Sequence, residues 1–190
     1  MLVGFTGPQC SGKSTLLMKM LHSNLFRKCS FVKEVTRKVA SYGYKINDDG
    51  DNTTQLFILN EHLHNHHMSG CVVLDRCIID GVVYTEWLYK QGKVCKWVLD
   101  YAYQLHHMLI PKLDIILYPD PEEIELVGDE HRSADVDFRD DIISLYKQYF
   151  EHYPEVKKKT IVIRGSVDER FKQIQKQLKE YDKTRQLTDQ

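Results

Sequence analysis

Residues 7–15 read Gly-Pro-Gln-Cys-Ser-Gly-Lys-Ser-Thr, a phosphate-binding loop of the form G-x-x-x-x-G-K-S/T set between an apolar run and the helical pattern Leu16-Leu-Met-Lys-Met-Leu. A loop that enters a helix aims successive backbone N–H groups at phosphate oxygens, and Gly7 and Gly12 permit the close approach and unusual dihedrals this needs. The helix N-terminus adds positive partial charge. Within this pattern Pro8, Gln9, Cys10 and Ser11 form the body of the loop. Lys13 is expected to reach the β- and γ-phosphates of ATP, Ser14 to enter the coordination of Mg²⁺, and Thr15 to begin the helix. Cys10, beside Lys13 and a helix N-terminus, is expected to be oxidation-sensitive rather than a nucleophile.

Further chemistry sits at the ends of apolar runs. The run Cys71-Val-Val-Leu ends in Asp75-Arg76; a carboxylate after a strand beside a phosphate loop is where an NTPase holds Mg²⁺ or its water, and the arginine suits bidentate phosphate recognition. Its plainer role is an ion pair with Asp75 or Asp80. A second run ends in Lys33-Glu34-Val-Thr-Arg37, which places Glu34 where it can orient an acceptor hydroxyl or take its proton, with Arg37 near the same crevice. Asp80, Tyr84 and Trp87 follow at helical spacing, where an aromatic can stack on a flat ring or simply pack in the core. His62, His64, His66 and His67 have no convincingly placed acidic or cysteine partner, and packing or surface roles are preferred to zinc.

The elements that must position these residues are legible as five short apolar runs: Leu2 to Thr6, Ser30 to Lys33, Cys71 to Leu74, Asp114 to Tyr118 and Thr160 to Arg164. Several lack alternation, the mark of strands buried on both faces, and helical patterns separate them. The expectation is an α/β domain, doubly wound around a five-stranded parallel sheet, with ligands outside the carboxyl ends of the strands. One domain over residues 1–180 is expected, with a fraying tail at 181–190. The segment from Pro119 to Asp141 carries ten acidic residues and two arginines, Arg132 and Arg139. These form either a cover that brings positive charge to a transferring phosphate or a solvated helix with local ion pairs.

The chain has 190 residues, 42% of them apolar, and its 26 basic and 27 acidic residues nearly cancel. No global positive field draws nucleic acid or an anionic membrane, so a nucleic-acid partner is not favoured. No apolar stretch approaches the length of a membrane span and no leader opens the sequence. The five cysteines are dispersed, so neither a disulfide framework nor a metal knuckle is expected, and the reducing cytoplasm is the expected compartment.

With these residues assembled, the chain resembles the P-loop nucleoside and nucleotide kinases, a group that includes thymidylate kinase, the deoxynucleoside kinases and the nicotinamide riboside kinase domain of bacterial NAD-salvage proteins. Leu74-Asp-Arg-Cys-Ile-Ile-Asp-Gly-Val-Val-Tyr84 is similar to the Asp-Arg-Tyr segment of thymidylate kinase and to the Glu-Arg-Ser of deoxynucleoside kinases, with Cys77 in place of the tyrosine and Asp80 and Gly81 in place of serines. The resemblance implies the three-layer P-loop NTPase fold with a helical lid over about 122–141, in which Arg132 and Arg139 close over the phosphoryl group. It also implies Glu34 as a ligand or base for the substrate hydroxyl. Arg37, Arg76, Asp80 and Tyr84 then face the acceptor, and Gly165, Ser166 and Val167 border the adenine of ATP. The implied activity is ATP- and Mg²⁺-dependent phosphoryl transfer to a nucleoside or nucleoside monophosphate, in an enzyme that is often a homodimer. Nicotinamide riboside or a hydroxyl of DNA or RNA are alternative acceptors, and an ATP-binding switch or NTPase is the alternative of another class.

Overall fold

Five parallel strands, β1 (Leu2–Phe5), β2 (Cys29–Val32), β3 (Cys71–Leu74), β4 (Ile115–Pro119) and β5 (Thr160–Ile163), form one sheet in the order β2-β3-β1-β4-β5. Each lies within a residue or two of its expected run. The computed structural model describes residues 1–121 and 133–188, with side chains over 1–121 and 136–181. The helices are α1 (Lys13–Leu21), α2 (Val35–Ser41), α3 (Asn52–Asn65), α4 (Ile78–Lys90), α5 (Lys96–Leu109), α6 (Ser133–His152), α7 (Pro154–Lys159) and α8 (Val167–Thr188). Helix α8 runs on past residue 181, where fraying is expected.

The pleat assigns alternate strand residues to opposite faces, and the core divides accordingly. Leu2, Val72, Leu74 and Ile116 pack with α4, α5 and α6. Val3, Phe5, Val73, Ile115 and Leu117 pack with Leu16, Leu17 and Met20 of α1 and Ile174 and Leu178 of α8. β1, at the centre, is buried throughout, whereas the edge strands β2 and β5 are partly exposed. A third, smaller cluster joins Val35 and Val39 of α2 to Ile58 of α3. This is the three-layer α/β P-loop fold that the sequence leads one to expect; of the lid expected over about 122–141, residues 122–132 lie outside the described residues and 133–141 belong to α6.

One expectation is corrected. Cys29 and Cys71 form a disulfide. They are register partners at the first positions of β2 and β3, with Cα atoms 4.5 Å apart, so sheet pairing brings together two cysteines that sequence separates by 42 positions. Cys10, Cys77 and Cys95 are free thiols. Among the described residues no helix is long and apolar enough to cross a membrane.

Candidate active site

The strand order reverses direction between β1 and β3, and the loops leaving these neighbouring strands are the phosphate-loop sequence and Asp75-Arg76. A cleft of about 350 Å³ there is lined by Gln9, Cys10, Ser11, Gly12, Lys13, Ser14 and Thr15 on one side and Glu34, Arg37, Asp75 and Arg76 on the other. The loop's conformation explains its composition. Gly7 and Gly12 have φ of 134° and 81°, and Cys10 adopts φ 59°, a left-handed conformation that costs a non-glycine residue energy. Gly12 is the residue from which α1 departs.

Lys13 is buried and donates to the carbonyls of Gly7 and Pro8 at 2.7 and 2.5 Å and to the Ser11 hydroxyl at 3.1 Å. Burial, followed by the charge of Arg76, lowers its pKa to about 7. Ser14 and Thr15 are exposed at the first turn of α1.

Opposite the loop, Arg76 gathers two of the three acids named from the sequence, Glu34 and Asp80. Its Nε donates to Glu34 at 2.7 Å and its Nη1 to Asp80 at 2.7 Å, and the guanidinium lies 5.2 Å from the Tyr84 ring centre. The second Asp80 oxygen accepts the Cys77 amide at 3.3 Å, so the start of α4 holds the acid that holds the arginine. The Tyr84 hydroxyl donates to Gln9 at 2.8 Å and thereby ties α4 to the phosphate loop. Arg37 is exposed and donates to Glu34 at 3.0 Å. For Glu34, burial favours the protonated form, but the charge and hydrogen bond of Arg76, with hydrogen bonds from Thr36 and Arg37, prevail and hold its carboxyl at about 2. Asp75 goes the other way: burial and then the Glu34 charge push it up to about 6, against the pull of Lys13 and Arg76.

At the far end of the loop, Cys10, Gly12, Thr15 and Leu16 face Gly165, Ser166, Val167 and Arg170 across a cleft of about 470 Å³. Arg170, which sequence reasoning did not assign to the site, spans it from beneath: it donates to the carbonyls of Gly165 at 2.7 Å, Ser11 at 3.2 Å and Asp120 at 3.3 Å. Tyr146 was missed too. Its buried hydroxyl accepts the Gly7 amide at 3.2 Å. Of the two expected lid arginines, Arg132 lies outside the described residues. Arg139 is buried on α6, donates to the Pro121 carbonyl at 3.0 Å and lies apart from the cleft lining.

The histidines separate into distinct environments. The Nδ1 of His66 bonds the His62 carbonyl at 2.8 Å and its Nε2 accepts the Ile78 amide at 3.3 Å, so it caps the first residue of α4. His64 and His67 are exposed, and His62 is buried facing α4. Among the described residues no group of three His, Cys, Asp or Glu is placed to hold a metal by itself.

A phosphate-binding loop facing an Asp-Arg pair at the switch point of a parallel sheet defines a P-loop nucleotide-binding domain. The chain belongs to the family described as an AAA domain, which it matches over residues 2–170. No curated protein matches the sequence. Among solved structures, the fold is similar to deoxyadenosine kinase from M. mycoides with products dCMP and a flexible dCDP bound. That likeness has a TM-score of 0.70 at 14% identity and covers 95% of this chain and 99% of that one. It is also similar to a NadR protein in complex with NR, with a TM-score of 0.68 at 16% identity over 95% of this chain; the chain spans 50% of that one. A NadR complex with NAD and AMP-PNP gives a TM-score of 0.64 at 18% identity, over 95% and 49% of the two chains.

Proposed function

We propose that this protein is an ATP- and Mg²⁺-dependent kinase that transfers the γ-phosphoryl group to a hydroxyl of a nucleoside or nucleoside monophosphate. The observation that carries the reading is the single cleft in which Lys13 and Ser14 face Asp75, Arg76 and Glu34. An NTPase needs the first group; a carboxylate on the opposite wall, oriented by Arg76 and Arg37, suits an acceptor hydroxyl, as it would the attacking water of an NTPase. The likeness to deoxyadenosine kinase and to NadR with NR supports it at the level of the fold.

In this reading the loop amides and Lys13 hold the β- and γ-phosphates of ATP, and the adenine lies between Cys10, Gly12, Thr15 and the Gly165-Ser166-Val167 turn. Ser14 and Asp75 suit a divalent cation: Ser14 is exposed on the cleft, and Asp75 is a buried carboxyl pushed up to about 6 by burial and then by the Glu34 charge, which a cation beside it would offset. Mg²⁺ there supplies neutralisation of phosphate charge. The acceptor oxygen attacks the γ-phosphorus, the bond from that phosphorus to the β–γ bridging oxygen breaks, and ADP leaves with that oxygen. Arg76, already oriented by Glu34 and Asp80, offers positive charge to the transferring group. Glu34, with its pKa near 2, holds a proton poorly at neutral pH. Its role is to accept a hydrogen bond from the acceptor hydroxyl and aim it, the proton passing on to phosphate or solvent as the new O–P bond forms.

The test is transfer from labelled ATP with Mg²⁺ to nucleosides, nucleoside monophosphates, nicotinamide riboside and single-stranded DNA, with chromatography of the products. One rapidly labelled acceptor establishes the kinase. Tight ATP binding with no labelled acceptor replaces it with the nucleotide-binding switch.

A further inference from the structure

The phosphate loop and the Gly165-Ser166-Val167 turn face each other across the second cleft, and the buried side chain of Arg170 touches both. We infer that Arg170 is a positioning residue that makes them one unit: phosphate bound at the loop orders the turn that receives the base, so the two ends of a nucleotide bind cooperatively. The inference rests on the donor half of the reading above, with the phosphates of ATP in the loop and its adenine at the turn. It holds whether the phosphoryl acceptor is a nucleoside or water.

Helical spacing delivers Arg170 to this place. Positions 170, 174 and 178 recur every four residues and share one face of α8. Ile174 and Leu178 pack with Leu16, Leu17 and Met20 of α1 in one core cluster. One turn earlier the same face presents Arg170, 4% exposed, to the Ser11 carbonyl at the residue before Gly12, across 159 positions of sequence.

Three segments meet at the guanidinium. Nε donates to the Gly165 carbonyl at 2.7 Å, Nη1 to Ser11 at 3.2 Å and Nη2 to Asp120 at 3.3 Å. The fork is planar and rigid, so it sets the direction of each carbonyl as well as its distance. Asp120 supplies the fixed point: its amide donates to the Ile163 carbonyl of β5 at 3.0 Å, and its carboxylate accepts Arg164 at 2.7 Å. At Ser11 the consequence reaches the ligand. A trans peptide is planar, with its C=O and the following N–H pointing in opposite directions. A Ser11 carbonyl held from beneath therefore aims the Gly12 amide toward the cleft that Gly12 lines.

Of the two parts, the turn has more order to gain. Residues 164–169 are all exposed. Glu169 accepts from the Ser166 amide at 2.8 Å and hydroxyl at 2.7 Å, and Gln173 donates to the Arg164 carbonyl at 2.7 Å, bonds that lie within the turn and α8. The loop is buried at Gly7, Pro8 and Ser11. Phosphate that stiffens the loop stiffens Ser11, Arg170 and Gly165 in turn, and a base arriving afterwards has less left to order. The coupling is reciprocal, so the base strengthens phosphate binding by the same factor.

The experiment follows amide hydrogen exchange at residues 7–15 and 164–167 in wild type, Arg170→Lys and Arg170→Met, each checked by thermal melting. The probe is magnesium pyrophosphate, which can fill the loop but carries no base or ribose to lay on the turn. In wild type it should slow exchange at both segments, at the turn by about fivefold or more. In both variants the loop should still be slowed while the turn keeps its ligand-free rate. Lysine keeps the charge and loses the fork, so it should not rescue the coupling. A wild-type turn indifferent to pyrophosphate, or a turn slowed as strongly in Arg170→Lys, overturns the inference. If one variant does not fold, the other carries the comparison alone. If pyrophosphate leaves the wild-type loop unaffected, the donor reading fails by itself. Exchange in the ligand-free proteins then decides: faster exchange at both segments in Arg170→Lys upholds the bridge, and an unchanged rate at either refutes it.

Discussion

The hydroxyl of Tyr146 accepts the amide proton of Gly7 at 3.2 Å, joining α6 to the first residue of the phosphate loop across 139 positions of sequence. The Thr6 amide still bonds the Leu117 carbonyl at 3.0 Å, but Gly7 lies past the end of β1, and its buried amide takes the Tyr146 hydroxyl as partner. The helix into which the expected lid runs is therefore fastened to the loop that would hold the phosphates.

Tyr146→Phe keeps the ring and leaves the buried Gly7 amide unpartnered, which costs about 1–3 kcal/mol. For a chain of this size that is a fall in melting temperature of roughly 2–4 °C per kcal/mol. Calorimetric melting checks it, and ATP affinity should weaken alongside. A variant as stable as wild type would mean that water replaces the hydroxyl at no cost.

Lys13→Ala and Asp75→Asn should each lower turnover by about two orders of magnitude or more while the fold survives, since both act on charge that develops during transfer. Steady-state rates with whichever acceptor the labelled-ATP assay identifies test this, and near-normal rates in either variant remove the assignment.

Asp75→Asn should also alter stability, in a direction set by its pKa. The carboxyl is raised from 3.8 to about 6, so its proton is held more tightly folded than unfolded. Its contribution to stability is complete below 3.8 and is lost as pH rises through about 6. The asparagine variant, without ligands, should therefore melt above wild type in mildly alkaline buffer and lose that advantage in acid. A variant that melts below wild type in alkaline buffer would show that Lys13 and Arg76 more than compensate the ionised carboxylate.

Lys13 has the opposite sign. Lowered from 10.5 to about 7, it gives up stability as pH falls through about 7, and it is only partly charged in neutral solution. Bound phosphate favours the ammonium form, so nucleotide binding just above neutrality should take up a fraction of a proton, read from calorimetry in buffers of different ionisation enthalpy. Lys13→Ala should abolish that uptake.

The disulfide predicts a thiol count. Of the five cysteines, three should react with a maleimide in denaturant without reductant and all five after reduction; in the native protein only the exposed Cys10 and Cys95 should react promptly. MgATP should protect Cys10, which lines both clefts beside the loop.

What the sequence makes legible follows the range of the interactions. The strands, the phosphate loop and the Asp75-Arg76-Asp80-Tyr84 series are encoded in local runs and helical spacing, and the structure places them within a residue or two. Tyr146 reads only as one more member of the apolar stripe Phe138, Ile142, Tyr146 and Tyr149. Its bond to Gly7 depends on how α6 crosses the sheet. Arg170 is likewise an ordinary first-turn arginine until the order of β1, β4 and β5 sets it under Ser11 and Asp120. The Cys29–Cys71 pair was invisible for the same reason, since neither residue signals its partner before the register of β2 on β3 is known.

That bond gives the oxidised chain the topology of a lariat. The ring from Cys29 to Cys71 contains Glu34, Arg37, Gln55 and His62, whereas the loop at 7–15 and the turn at Gly165 lie on its two open tails. A protease that cuts once within the ring, at the exposed Tyr42-Gly43 turn for instance, would yield two pieces that migrate as one until reduced. The acceptor wall would thus survive a nick as a connected body, a resilience that the donor side does not share.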